Sequence, residues 1–117
     1  MKRDDDLIRD TLLKMEDADD YLFVCAPSFG DDLEERRLHF HLALLADAGY
    51  VLEINRGVYR LTNQGFDYLN TIRDGEIWKE TRSAVSKIGG GTFSLIKEIG
   101  TALIKAELKA RLGLDLG

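Results

Sequence analysis

One cysteine, one proline, one tryptophan and two histidines occur in the 117 residues. The lone Cys25 has no second cysteine to pair with, which fits a reducing cytoplasm. It lies in an apolar run and reads as a buried core residue in preference to a nucleophile. A chain of this length buries roughly two-thirds of its unfolded surface, so it needs neither disulfide nor metal to fold. No uncharged run reaches membrane-spanning length, and the opening MKRDDDLIRD has no apolar signal core. The expectation is a soluble cytoplasmic protein that is neither exported nor held at a membrane.

Reactive groupings are as scarce. No serine or cysteine has a base fixed beside it in sequence. His39 and His41, two positions apart on a helix, point about 200° away from each other and cannot chelate one ion. Gly89-Gly90-Gly91 precedes a helix, but it lacks the strand and the lysine of a phosphate-cradling loop, and a hinge is the favoured reading. Asp4, Asp5 and Asp6 stand where a helix begins, so capping and the helix dipole explain them before a metal does. We therefore expect no enzyme, no catalytic residue, no cofactor and no metal site.

Positive charge is short in the first half. Residues 1–50 carry 6 basic and 13 acidic side chains, whereas residues 51–117 carry 10 basic and 8 acidic ones. Affinity for nucleic acid comes largely from neutralising phosphates, so the front half is poorly equipped for it unless a basic patch acts locally.

What is present is organised around Asp32 to Gly65. Leu38, Leu42 and Leu45 fall within about 60° of one another on a helical wheel, with His41 on the flank as a partly buried structural residue. Asp32 and Glu35 have capping-box spacing at the start of this helix, and Gly49 ends it. Tyr50 to Ile54 and Val58 to Leu61 read as two strands joined by the tight turn Asn55-Arg56-Gly57. Thr62 caps a further helix running to Arg73, with Phe66, Leu69 and Ile72 on its apolar face.

Around this centre, a first helix is expected over about Asp5 to Glu16. Tyr21 to Ala26 reads as a strand that adds to the hairpin and makes a three-stranded sheet. Pro27, Ser28 and Gly30 break regularity, leaving room for only one turn of a helix before Leu33. A helix over Glu76 to Ile88 carries Trp78 as a packing anchor. The last helix, Thr92 to Leu112, is apolar over a broad surface that includes Phe93, Leu95, Ile96, Ile99, Leu103 and Ala106. Burial of that surface in a homodimer and folding back on its own domain are equal alternatives. A partner's groove is third, and a membrane surface last, because acidic residues share the polar face.

Four segments carry a resemblance: MKRDDDLIRDTLL, LHFHLALLADAGYV, YRLTNQGFDYLNTIRDGEIW and GGGTFSLIKEIGTALIKAEL. Together they resemble a family of small uncharacterised proteins of bacteria, phages and prophages, a domain of unknown function. The middle, with His-Leu-x-x-Leu-x-x-Ala-Gly and then Tyr-x-Leu-Thr-x-x-Gly, also resembles the winged-helix repressors. The resemblance implies a winged-helix fold and a mobile-element origin, and it supplies no biochemical activity. The acidic front half and the missing second helix depart from the repressor pattern.

The expected fold class is mainly α with a small antiparallel β-sheet (α+β). A winged helix-turn-helix domain covers 1–74, and a C-terminal helical extension covers 75–117, packed with it as one compact unit. Two functions follow. The first is a dimeric transcriptional regulator that binds duplex DNA, with Arg36, Arg37, His39 and Phe40 from the reading helix and Arg56 and Arg60 from the wing. The second is an acidic protein-interaction module, an inhibitor of a host or defence nucleic-acid-binding protein, without DNA binding of its own.

Overall fold

The computed structural model describes residues 1–26 and 30–113. Pro27 and Ser28, expected to break regularity, lie outside the described residues. Among the described residues there are five helices and a three-stranded antiparallel sheet. The chain divides into two compact units, Met1–Leu69 and Asn70–Gly117. The division runs inside a helix, ahead of the boundary expected after residue 74.

The first unit begins with α1, Asp5–Asp17. Asp4 caps it, its Oδ1 accepting from the amides of Asp6 (3.0 Å) and Leu7 (3.2 Å). Ile8, Thr11, Leu12 and Met15 form its buried face. The Thr11 hydroxyl is tolerated there because it donates to the Leu7 carbonyl at 2.7 Å.

Strand β1 is Phe23–Val24, shorter than the expected Tyr21 to Ala26. It pairs Phe23 with Tyr59 and Val24 with Val58. Beyond Val24 the pairing continues by a single backbone bond, from the Cys25 amide to the Gly57 carbonyl at 2.7 Å.

Helix α2 is Leu33–Asp47. The Asp32 carboxylate accepts from the Glu35 amide at 2.8 Å, which fixes the start. At the other end the Gly49 amide donates to Ala46 (3.0 Å) and the Tyr50 amide to Leu45 (2.9 Å), the paired bonds of a Schellman stop, with Gly49 at φ 76°. Leu42 and Leu45 are fully buried, as expected from their spacing. His41 is fully buried too, where spacing puts it on the flank.

The hairpin consists of β2, Val51–Asn55, and β3, Val58–Leu61. Sheet order is β1-β3-β2, so β3 is central and the expected third strand is in place. Val51 lies opposite Leu61 and Glu53 opposite Tyr59, and the register shifts between Glu53 and Asn55. Val51, Tyr59 and Leu61 are buried, whereas Leu52 and Ile54 are half exposed.

Helix α3, Asn63–Ile72, follows. The Thr62 hydroxyl accepts from the Gly65 amide at 3.0 Å and donates to the Gly49 carbonyl. Its buried residues are Gly65, Tyr68, Leu69, Thr71 and Ile72, while Phe66 is 39% exposed. The expected placement of Phe66 in the core is therefore corrected. Gly65 lies so close to the Tyr50 carbonyl that a Cβ there would collide with it. That approach turns the helix until Tyr68 faces inward and its ring stacks on Tyr50, centroids 4.7 Å apart.

In the second unit, α4 is Gly75–Lys87 and α5 is Phe93–Leu112, capped by Asp74 and Thr92. Gly89 and Gly90, at φ 83° and 121°, turn the chain between them, conformations that side chains with a Cβ rarely adopt. Trp78, Thr81 and Val85 are the buried face of α4, and the Arg82 guanidinium lies 5.8 Å from the Trp78 ring centroid. Gly100 lets α5 come against the Thr71 carbonyl, where a Cβ would clash. Among the described residues no helix is long and apolar enough to cross a membrane.

Candidate functional site

The residues proposed to read DNA belong to α2 and the hairpin, and the fold treats them differently. Arg36 on α2 and Arg56 at the hairpin turn are exposed. Arg37 is half-buried and its Nη2 donates to Asp4 Oδ2 at 3.0 Å. Asp4 thus serves two elements at once, capping α1 with one carboxylate oxygen and holding α2 through the other.

His41 completes this junction. Its Nε2 accepts from the Asp4 backbone amide at 2.8 Å, so Nδ1 carries the hydrogen and donates to the Arg37 carbonyl at 2.7 Å. The ring fills both of its hydrogen-bonding positions while fully buried, and Phe40 packs edge-on against it at 5.3 Å. Phe40 is accordingly half-buried, a side chain engaged with its own fold.

His39 is also engaged. Its Nε2 is 3.1 Å from Asp31 Oδ2, and its Nδ1 is 3.6 Å from Cys25 Sγ. Asp31 further shares a hydrogen bond with Glu35, and that bond, with the negative charge of Asp31 and Asp32, raises the Glu35 carboxyl above the usual range. The thiol of Cys25 is pushed up by burial first, then by Asp31 and Glu35. From the sheet, Tyr59 is raised to about 12 by burial and by its hydrogen bond to Glu53. Arg60 is half-buried and donates from Nη1 to the Leu61 carbonyl at 3.0 Å.

What α2 presents outward at its amino end is consequently acidic. Asp32, Glu34 and Glu35 are exposed, and among the α2 cations named as DNA candidates only Arg36 is exposed with them. A phosphate approaching this turn meets carboxylates first, and like charges repel it.

A second acidic surface lies within the other unit. There α4 and α5 leave a groove of about 420 Å³, with Ile77, Leu103 and Ala106 among its lining and Asp74, Glu76, Glu80 and Glu107 around them. Arg111, the cation of that lining, is 2.6 Å from Glu107. Of the residues proposed for a subunit interface, Phe93, Leu95, Ile99 and Leu103 are half-buried and Ala106 is exposed. Ile96 is 1% exposed, covered within the chain itself.

Among the described residues, no group of three or more His, Cys, Asp or Glu is placed to hold a metal ion. Sequence reasoning missed both constellations around α2. Asp4 and His41 are 37 positions apart and Cys25 and His39 are 14 apart, and no periodicity links residues on different elements. The one usable signal was Asp4 itself, an N-cap whose second oxygen has to find a partner.

Residues 2–92 match the family described as Hypothetical protein (DUF2513). The chain belongs to that family. The DUF2513 match takes in α1 to α4 and ends at Thr92, the cap of α5. An uncharacterized protein of Haemophilus influenzae is similar to this DUF2513 chain, 27% identical over 117 residues that cover 92% of the chain and 99% of the relative. No solved structure matches.

Proposed function

We propose that this chain is a winged-helix scaffold turned to protein binding: its acidic α2 face engages the basic surface of a partner, such as a nucleic-acid-binding protein that it would inhibit. The order α1-β1-α2-β2-β3 with β3 central supports the winged-helix reading of the first unit. A phage or prophage origin rests on the sequence resemblance alone.

The observation that carries the function is that two of the candidate α2 contacts already have partners within the fold. Arg37 and His39 sit against Asp4 and Asp31, while Asp32, Glu34 and Glu35 stay exposed. At about 40% exposure for each partner, the Arg37–Asp4 pair is worth less than ~1 kcal/mol. Its effect is to cancel the charge that a phosphate would seek.

The other reading, a dimeric regulator bound to DNA, is favoured by exposed Arg36 and Arg56, which sit where a reading helix and a wing tip would touch a duplex. Two arginines, one of them sharing the first turns of α2 with three exposed carboxylates, are a poor phosphate contact set. Dimerisation through α5 is compatible with either reading, and light scattering of the intact chain decides it.

The test uses a fluorescein-labelled, arginine-rich helical peptide. Anisotropy should show binding that weakens with added salt, and Glu34→Lys combined with Glu35→Lys should weaken it about tenfold or more. Binding unchanged by that double reversal would sink the α2 assignment.

A further inference from the structure

The three side chains Asp31, His39 and Cys25 form a chain in space: carboxylate, imidazole, thiol. The carboxylate is 3.1 Å from one ring nitrogen and the sulfur 3.6 Å from the other. When Nε2–H donates to Asp31, Nδ1 turns its lone pair to the thiol. This is the order in which an orienting acid, a base and a nucleophile are arranged where a sulfur must be activated. The sulfur is held from the sheet as well, because the Cys25 amide donates to the Gly57 carbonyl at 2.7 Å.

We propose that Cys25 is a modification site that exchanges with low-molecular-weight disulfides of neutral or positive charge, with His39 as its base and Asp31 as the residue that positions His39. In the step, Cys25 Sγ attacks one sulfur of R–S–S–R. A new S–S bond forms as the old one breaks, the Sγ proton passes to His39 Nδ1, and the departing thiolate takes it up to leave as R–SH. Cys25 is oxidised to the mixed disulfide and one R–S group is reduced. The chain has a single cysteine, so no second thiol of its own resolves the adduct, which stays until an outside thiol exchanges with it.

The surroundings set both the mechanism and the preference. Asp31 and Glu35 face the sulfur from the α2 side, and Tyr59, hydrogen-bonded to Glu53, faces it from the sheet. Burial and those carboxylates oppose a standing thiolate, so the proton leaves with the attack and the base is needed. The same carboxylates repel an anionic disulfide and attract a cationic one.

Intact-mass kinetics at neutral pH test this on the full chain, with cystamine as the cationic probe and oxidised glutathione, an alkyl disulfide whose leaving thiol is of similar basicity, as the anionic one. The native chain should take up cystamine faster, and His39→Gln should slow uptake about a hundredfold, the low end of what a positioned base contributes. Asp31→Asn should slow it less and reduce the preference for cystamine. A thiol that is merely sheltered behaves in the opposite way, since trimming the ring opens access: His39→Ala reacting as fast as the native chain, or faster, would overturn the proposal. So would equal rates for the two probes. Circular dichroism of each variant confirms that the rates refer to folded protein.

Discussion

Replacing His41 by alanine should destabilise the first unit by about 3–4 kcal/mol, read as a lower midpoint in urea with an unchanged slope. Two losses combine. The ring is fully buried, so its removal leaves a cavity beneath Phe40. It also strips partners from the Asp4 amide and the Arg37 carbonyl at the junction of α1 and α2, and unsatisfied groups there cost about 1–3 kcal/mol. Glutamine keeps a donor and an acceptor and should recover part of the loss. An alanine variant within ~1 kcal/mol of the native chain would show that the bridge is not what joins these helices.

The second large effect is a glycine that cannot be enlarged. Gly65→Ala should cost about 2–3 kcal/mol, because the new methyl meets the Tyr50 carbonyl and must push α3 away from the end of β2. The obstacle is backbone, which cannot step aside as a side chain can. Gly75 supplies the internal contrast: it begins α4 with nothing within 4 Å of a Cβ and without a positive φ. Gly75→Ala should therefore stabilise by ~0.5–1 kcal/mol, through fewer unfolded conformations. Two identical substitutions of opposite sign, measured by thermal or chemical unfolding, check whether the Gly65 contact is real.

These two sites also mark what local sequence signals can reach. Asp32 with Glu35, Gly49, Thr62 and the Asn55-Arg56-Gly57 turn are short-range chemistry, and each sits where it was expected. The hairpin and its third strand follow from β-branched and aromatic runs, which are local as well. The inward face of α3 is not local. Steps of three from Phe66 look sound on a wheel, but the face is set by Gly65 meeting Tyr50, and its members fall at 65, 68, 69, 71 and 72. The site was legible only as a set of candidates. Nothing within α2 reveals that Arg37 will meet Asp4, or that His39 will lie between Asp31 and Cys25, since those partners come from the segments ahead of it.

Charge patterning did foreshadow the outcome. The acidic excess of residues 1–50 is visible without any structure. Folding sharpens it by pairing Arg37 and His39 with carboxylates and leaving the first turn of α2 exposed. In the proposed reading, a helix expected to read DNA thereby offers its acidic first turn to a basic protein.

The most direct measurement is the anisotropy of a labelled random-sequence duplex titrated with the intact chain at low salt, where phosphate contacts are strongest. No saturable binding is expected, and no change with Arg36→Glu. Saturable binding that falls steeply as salt is added, and that Arg36→Glu abolishes, would contradict the protein-binding reading and return α2 to the role of a DNA-reading helix.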